Sequence, residues 1–191
     1  RRGMDARATS GAHAVPSADR VNESAAGARR AAAGAVLRIL RSGAYSNVLV
    51  RRTEVHPPRD HGYFQRLVYS TLRHLPGIDR TIAGASERPI TSIEPTVLAV
   101  LRIGVADLLV LGTEPHAAVN EAVEISPRRA AALVNAVLRR IASEPVTITE
   151  SLEDAYPAAV IATLSNDLGP ARADAFLRAS NQPAPVGLRF R

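Results

Sequence analysis

The sequence predicts an all-α protein, and three observations support this fold class. Of the 191 residues, 46% are hydrophobic but only 4% are aromatic. Ala, Val and Leu dominate the apolar set, which favours packed helices over a β-sandwich built from Tyr, Phe and Thr. Apolar residues recur at helical spacing along most of the chain, and Pro or Gly stands at the ends of several of these segments. We therefore expect helices packed around one hydrophobic core.

The N-terminal half begins with a polar region that lacks hydrophobic periodicity, and we predict that residues 1–27 form a disordered tail. Helical spacing starts at Ala28 in "ARRAAAGAVLRILRSG" and ends at Gly43. The next segment, "YSNVLV", suits a short second helix. A third helix is predicted in "RDHGYFQRLVYSTLRHLPG", where Pro76 and Gly77 are expected to end it and "IDRTIAGA" to follow as a short continuation.

The second half of the helical region contains the most apolar segment of the chain. Pro95 is placed to begin a helix that runs to Gly112 and is apolar on nearly all sides, so we expect other helices to surround it. Its apolar run of about 15 residues is shorter than the ~20 that a membrane span needs. Pro115 and Pro127 then open two further helices, "PHAAVNEAVEIS" and "PRRAAALVNAVLRRIASE". These segments predict a multi-helix domain over residues 28–143.

The last part of the chain, residues 144–191, has a different sequence pattern from the helical domain. It contains a helix-turn-helix pattern broken at Gly169 and Pro170, followed by "PAPVGLRFR", which is typical of the start of a β-strand. Because a lone strand without a partner is not stable, we interpret this region as a linker and the truncated beginning of a second domain.

Composition narrows the classes of function. The net charge is +6, and all 24 basic residues are Arg, so a polyanion is the first partner to consider, although codon bias also produces Arg in place of Lys. The absence of Cys excludes disulfides, Cys-ligated zinc and a thiol nucleophile within this chain. There is no apolar signal segment, Gly-rich phosphate loop or nucleophile-elbow motif, and we expect a cytoplasmic protein without a catalytic or metal site in these residues.

The segment that contains "ALVNAVLRR" separates into two faces when it is projected around a helix axis. Arg128, Arg129, Arg139 and Arg140 lie on one side, and Asn135 lies at its margin, about 130° from the centre of the apolar side. The opposite side is apolar and consists of Leu133, Val134, Val137, Leu138 and Ile141. The Arg face predicts contact with an RNA phosphate backbone. The alternative is an ordinary solvated face with Asn135 bonded to a neighbouring helix.

Two other places combine Arg with features that suit RNA. Arg66, Tyr69 and Arg73 share the face of the third helix opposite its apolar residues, so that the ring could stack an unpaired base while the Arg hold phosphates. The alternative is that Tyr69 covers a neighbouring helix. Arg29 and Arg30 open the first helix beside the predicted tail and are candidate RNA contacts, or else a solubilising run.

One row of polar residues lies on the helix that Pro115 opens. His116, Asn120 and Glu124 fall on one line of that helix at i, i+4 and i+8. Such a row could hold a metal or perform acid–base chemistry, but no second His or further ligand cluster accompanies it. We therefore interpret the row as structural hydrogen bonding.

Four stretches of the helical region resemble a known family when they are taken together. In order they are "ARRAAAGAVLRIL", "RDHGYFQRLVYSTLR", "LRIGVADLLVLGTEPHAAVNEAVE" and "LVNAVLRRIA", and they cover about Ala28 to Ala142. The sequence "PHAAVNEAVE" followed by "VNAVLRR" is the most specific combination among them. These stretches resemble the NusB-type antitermination domain, especially the version at the N-terminus of the RsmB/Sun (Fmu) 16S rRNA cytosine-C5 methyltransferases.

The resemblance implies an all-α, NusB-like fold of two small helical bundles that binds RNA, with residues 144–191 beginning the RNA-binding α+β subdomain that precedes the methyltransferase domain. The catalytic domain, with its S-adenosylmethionine site and catalytic Cys, would then lie beyond Arg191. The expected partners are small-subunit rRNA or its precursor and the protein's own C-terminal methyltransferase domain, with no membrane. The alternative within the family is a transcription antitermination factor that works with a ribosomal protein.

Overall fold

The computed structural model describes residues 18–144, 146–148 and 151–182, and all regular structure within those ranges is helical. The all-α prediction is therefore confirmed there, whereas the strand predicted in "PAPVGLRFR" lies outside the described residues. The α-helices are α1 (Ala18–Ser42), α2 (Ser46–Arg52), α3 (His61–Arg73), α4 (Leu75–Ser86), α5 (Pro95–Val105), α6 (Pro115–Ile125), α7 (Ala131–Ser143), α8 (Leu152–Ala155), α9 (Ala158–Leu168) and α10 (Pro170–Asn181).

Helix α5 is the centre of the hydrophobic core. Eight of its residues are buried, and it packs against α1, α3, α4, α6 and α7. Helix α1 contacts α3 as well as α5 and α6, so that the N-terminal helices and the α4–α7 group share one continuous core. This confirms the prediction that the most apolar segment is surrounded by other helices.

Helix α1 begins at Ala18, so the prediction of a disordered tail is wrong for residues 18–27, and residues 1–17 lie outside the described residues. The segment lacks a clear apolar stripe, but several of its residues are Ala, which has the highest helix propensity. It also extends a helix that tertiary contacts already hold, so no new helix nucleus is needed. Ala26 and Ala28, both buried, are among those contacts.

The boundary between α3 and α4 differs from the prediction that Pro76 and Gly77 end a helix. Helix α3 ends at Arg73, and only His74 interrupts the helical path before α4 starts at Leu75. Pro76 thus lies in the first turn of α4, where its missing N–H would have had no partner in any case. The proline begins the second helix and does not end the first.

The C-terminal end of α5 is also different from the predicted continuous α-helix. One π-helical turn follows at Ala106–Val110, in which the Leu111 N–H donates to the Ala106 carbonyl at 3.0 Å. Gly112, with a φ of 69°, then ends the helical path in a conformation that favours glycine. π-turns recur at functional sites, and this one contains Asp107, a fully buried carboxylate.

Helices α8, α9 and α10 pack on one another, and α8 contacts α4. Gly169 and Pro170 separate α9 from α10, as the helix-turn-helix pattern predicted. At the contact with α4, Arg80 pairs with Asp154 at 2.7 Å, and this hydrogen bond lowers the pKa of Asp154 to about 2. Among the described helices, none is both long enough and apolar enough to cross a bilayer.

Candidate functional site

Arg29 is buried, which corrects the prediction that it contacts RNA. Only 5% of the residue is exposed, and its guanidinium donates to Asp107 at 2.8 Å and to Glu121. A guanidinium that is 5% exposed and enclosed by two carboxylates is not accessible to an RNA phosphate. Arg29 is therefore the counter-ion of two acidic residues in the core.

The carboxylate of Asp107 is the centre of a buried polar network. It accepts hydrogen bonds from the Tyr63 hydroxyl at 2.6 Å and the Thr113 hydroxyl at 2.5 Å, while the Arg29 guanidinium lies 4.9 Å from the centre of the Tyr63 ring. Burial raises the pKa of Glu121 against the opposing effect of Arg29, and burial together with the Asp107 bond raises the pKa of Tyr63. The network joins α1, α3, the π-turn and α6.

Sequence reasoning missed this network, although one signal was present. Asp107 interrupts the apolar run of the central helix, and a carboxylate in such a position needs a buried cation or several donors. The pattern does not say which of the many Arg supplies the charge, because the partners are far apart in sequence. Arg29 is 78 residues from Asp107 and 92 from Glu121.

A surface groove of about 450 Å³ brings three of the predicted residues together. Arg66, Tyr69 and Arg73 lie along the outer face of α3, and all three are exposed. The residues that line this α3 groove are Gly62, Gln65, Arg66, Tyr69, Ser70, Arg73, His74, Val110 and Leu111. Its second wall thus comes from the π-turn and the residue after it, which the sequence did not identify.

The α3 groove is electropositive, because its lining contains two Arg and no carboxylate. Within the described part of the chain, neither Arg66 nor Arg73 forms an ion pair, and the Tyr69 side chain between them is 41% exposed. The two Arg are seven residues apart, about 10 Å along the helix axis, and Tyr69 lies between them. The groove can therefore hold an anion at each end and a flat group in the middle.

Helix α7 has the two faces that the sequence predicted. Val134, Val137, Leu138 and Ile141 are buried, while Arg139 and Arg140 are exposed, as are Arg128 and Arg129 in the 3-10 turn Arg128–Ala130 that precedes the helix. The half-buried Asn135 accepts a bond from Arg139 at 3.0 Å.

Two Arg residues of α7 and the 3-10 turn before it are less available than those of the α3 groove. Arg129 pairs with Glu94 at 2.6 Å, and Arg140 pairs with Glu87 at 2.5 Å. These bonds lower the pKa of Glu94 and raise that of Arg140. Arg129 and Arg140 also line different grooves, so the structure does not assemble the four Arg into one site.

The remaining predicted features are Arg30 and the polar row on α6. Arg30 is exposed and has no ion-pair partner among the described residues, so its contact with RNA stays a prediction. The row on α6 contains a hydrogen bond of 3.0 Å between the side chains of His116 and Asn120. Within residues 18–144, 146–148 and 151–182, no group of three His, Asp or Glu side chains is arranged to hold a metal ion.

Comparison with known proteins identifies relatives along most of the chain. The NusB family model matches residues 26–143. Ribosomal RNA small subunit methyltransferase B of Enterobacter sp. (strain 638) is 28% identical over 171 residues, and that of Vibrio vulnificus is 27% identical over 172. Each alignment covers 84% of this chain, and the chain spans 40% of the length of these relatives.

Solved structures with the same fold include two RNA complexes. One contains the antitermination factors NusB and NusE with double-stranded RNA; it is 26% identical, has a TM-score of 0.56, and matches 63% of this chain and 96% of that one. The second is a chain in the crystal structure of a plectonemic RNA supercoil; it is 26% identical, has a TM-score of 0.55, and matches 61% of this chain and 91% of that one. The family match over residues 26–143 contains all residues that line the α3 groove.

Proposed function

Because this chain belongs to the NusB family across residues 26–143, we propose that it binds RNA through the α3 groove. We further propose that it is the N-terminal RNA-binding part of a small-subunit rRNA cytosine-C5 methyltransferase. The observation that supports RNA binding best is the exposed Tyr69 between Arg66 and Arg73, two cations without carboxylate partners among the described residues.

The groove geometry suggests how an RNA strand is held. Arg66 and Arg73 contact phosphates, for which the planar guanidinium offers paired donors. An unpaired base stacks on Tyr69, and Val110 and Leu111 give the opposite wall an apolar surface. The buried Asp107 holds that wall in position, because it binds Tyr63 of α3 and Thr113 beyond the π-turn at the same time.

The methyltransferase assignment is supported by the extent of the alignments. They run over 171 residues and so continue past the family match into the region of α8–α10. In the proposed division of labour, this chain orients small-subunit rRNA or its precursor, and the part of the relatives that it does not span supplies methyl transfer. S-adenosylmethionine and the Cys thiolate nucleophile are assigned to that part, since this chain contains no Cys.

A second candidate is a transcription antitermination factor with a ribosomal-protein partner. One observation favours it: the matched region covers 96% of a NusB that was solved with NusE and RNA. The coding sequence after Arg191 distinguishes the two candidates. An uninterrupted reading frame into a Cys-containing methyltransferase domain supports the first, and a stop codon close to Arg191 supports the second.

RNA binding is tested by titrating a fluorescent small-subunit rRNA hairpin with an unpaired loop at several salt concentrations. The wild-type chain should bind at low salt, weaken as salt rises, and transfer no methyl group from S-adenosylmethionine. The double variant Arg66→Gln/Arg73→Gln should lower the slope of log K against log salt by about 1.4 to 1.8, since each phosphate contact contributes about 0.7 to 0.9. Tyr69→Ala should weaken binding about 5- to 150-fold, whereas Tyr69→Phe should not.

The control is Arg88→Gln between α4 and α5, because Arg88 is also exposed and has no ion-pair partner within the described ranges. The absence of binding at low salt would contradict RNA binding as a whole. If the groove variants bind like the Arg88→Gln control, the chain binds RNA elsewhere and the α3 groove is the wrong surface.

A further inference from the structure

We propose a second RNA-contacting surface, the α1–α2 corner, defined by Arg38, Arg41, Tyr45, Val48, Arg51 and Arg52. An unpaired nucleotide stacks on Tyr45 there, and the Arg side chains hold the adjoining phosphates. The inference rests on the proposed RNA-binding function, but none of these residues lines the α3 groove. The two surfaces can therefore be tested separately.

The charge of this region is unusually one-sided. Residues 24–53 contain six Arg and no Asp or Glu. Arg29 is neutralised in the core, but the other five are exposed, and no ion pair forms to any of them among the described residues. Some exposed Arg elsewhere on the described surface pair with carboxylates, as the bonds Arg129–Glu94 and Arg178–Asp174 illustrate. The Arg of the corner have no such partner among the described residues, so the phosphates of another molecule can neutralise them.

Both helices that flank the corner carry basic residues on their outward sides. Val36 of α1 and Val50 of α2 are fully buried and define the inner faces. Arg38 and Arg41 then project about 200° and 140° around the axis from Val36. On α2, Val48 and Arg52 project about 160° and 200° from Val50. Both basic faces thus point away from the core on either side of a short connection.

Backbone hydrogen bonds hold the connection between the two helices at both of its ends. Gly43 has a φ of 64° and donates its N–H to the Ile39 carbonyl at 3.0 Å. The carbonyl of Tyr45 accepts the Leu49 N–H at 3.0 Å, which fixes the residue as the N-cap of α2. The entropy lost when a ligand binds is smaller on such a fixed backbone than on a disordered loop.

Exposed apolar area identifies the chemistry of the partner. Tyr45 is 80% exposed, and Leu40 and Val48 beside it are 39% and 45% exposed. An aromatic ring among unpaired Arg is the combination that binds single-stranded nucleic acid, because bases stack on the ring while guanidinium groups follow the phosphates. An acidic peptide would satisfy the Arg but would leave the flat Tyr45 ring without a matching partner. The corner therefore fits an unpaired stretch of RNA best.

The absence of Trp from the chain permits a direct test. Tyr45→Trp places one fluorophore at the corner, and Thr91→Trp places one between α4 and α5, where Thr91 is exposed. When the rRNA hairpin with its unpaired loop is added to each full-length variant, base stacking should quench the indole of Tyr45→Trp and leave that of Thr91→Trp unchanged. Unquenched fluorescence in Tyr45→Trp, while anisotropy shows that RNA is bound, would overturn the proposal.

Charge variants give a second measurement. Arg51→Gln/Arg52→Gln should reduce the salt slope of RNA binding by about 1.4, at about 0.7 for each single-strand phosphate contact, while Arg88→Gln leaves it unchanged. If substitutions in the α3 groove weaken RNA binding but those at the corner do not, this inference fails and the proposed function stands. If the wild-type chain binds no RNA, the inference and the proposed function both fail. The inference is also wrong if the corner variants bind RNA normally but lose binding to another polyanion. Loss of polyglutamate binding would indicate an acidic protein as the partner, and loss of binding to phosphatidylglycerol vesicles would indicate a membrane.

Discussion

Replacing Arg29 with Met should lower the thermal midpoint of the domain by about 10 to 20 °C, whereas the same substitution at the adjacent Arg30 should change it by less than about 2 °C. The side chain of Arg29 is 5% exposed, and those of its partners Asp107 and Glu121 are 1% and 12% exposed. Loss of the guanidinium leaves two carboxylates in the core without a cation. Breaking a buried pair in this way costs about 3–5 kcal/mol.

The pH dependence of the Arg29→Met variant provides a more specific test of the mechanism. Burial already raises the pKa of Glu121 against the opposing effect of Arg29, so loss of the cation leaves this pKa further above that of the unfolded chain. The unfolded chain then releases its protons first as pH rises, so the folded variant loses stability above about pH 4, where carboxyl groups of unfolded chains titrate. The deficit relative to wild type should thus be small near pH 4 and largest at neutral pH.

Circular dichroism melts of wild type, Arg29→Met and Arg30→Met between pH 4 and pH 8 measure both effects. Arg30 is the matched control because it is exposed, adjacent in sequence and without an ion-pair partner in the described ranges. Equal midpoints for the two variants, or a deficit in Arg29→Met that does not change with pH, would refute the account of Arg29 as the counter-ion of buried carboxylates.

Two further predictions concern packing and the C-terminal helices. Gly104→Ala should destabilise the domain by about 1–3 kcal/mol in a denaturant titration, because the added Cβ would lie 2.7 Å from a methyl carbon of the buried Leu138. The control Gly84→Ala on α4, where a Cβ meets open space, should be neutral or stabilising by up to about 1 kcal/mol. Similar losses of stability in both variants would contradict the close approach of Gly104 to Leu138. Asp154→Asn should lower amide protection in α8 at neutral pH. The pKa of Asp154 is lowered to about 2, first by the hydrogen bond from Arg80 and then by that from Ser151. These bonds therefore stabilise the folded state at pH values above 3.8, the ordinary pKa of Asp, and are lost as pH falls towards 2. Unchanged protection, or an equal loss in the control Asp167→Asn, would argue against that role.

Much of the fold could be predicted because helix formation depends on near neighbours in sequence. The spacing of Phe64, Leu67 and Val68 identified the inner face of α3, and the positions of Pro95 and Pro115 identified where helices begin. The exposed face with Arg66, Tyr69 and Arg73 followed from the same periodicity. The predictions failed where local signals compete, as at Pro76, which is compatible with the start of a helix as well as with its end.

What the sequence by itself determined is therefore the all-α class, the inward and outward faces of most helices, and the positive charge that suits a polyanion. Only the tertiary structure decided which cations are available. Arg29 and Arg30 are adjacent and chemically identical, yet one is enclosed by carboxylates from distant helices and the other is exposed. The physical reason is that burial and ion pairing depend on contacts between residues far apart in the chain, and these exist only after the helices have packed.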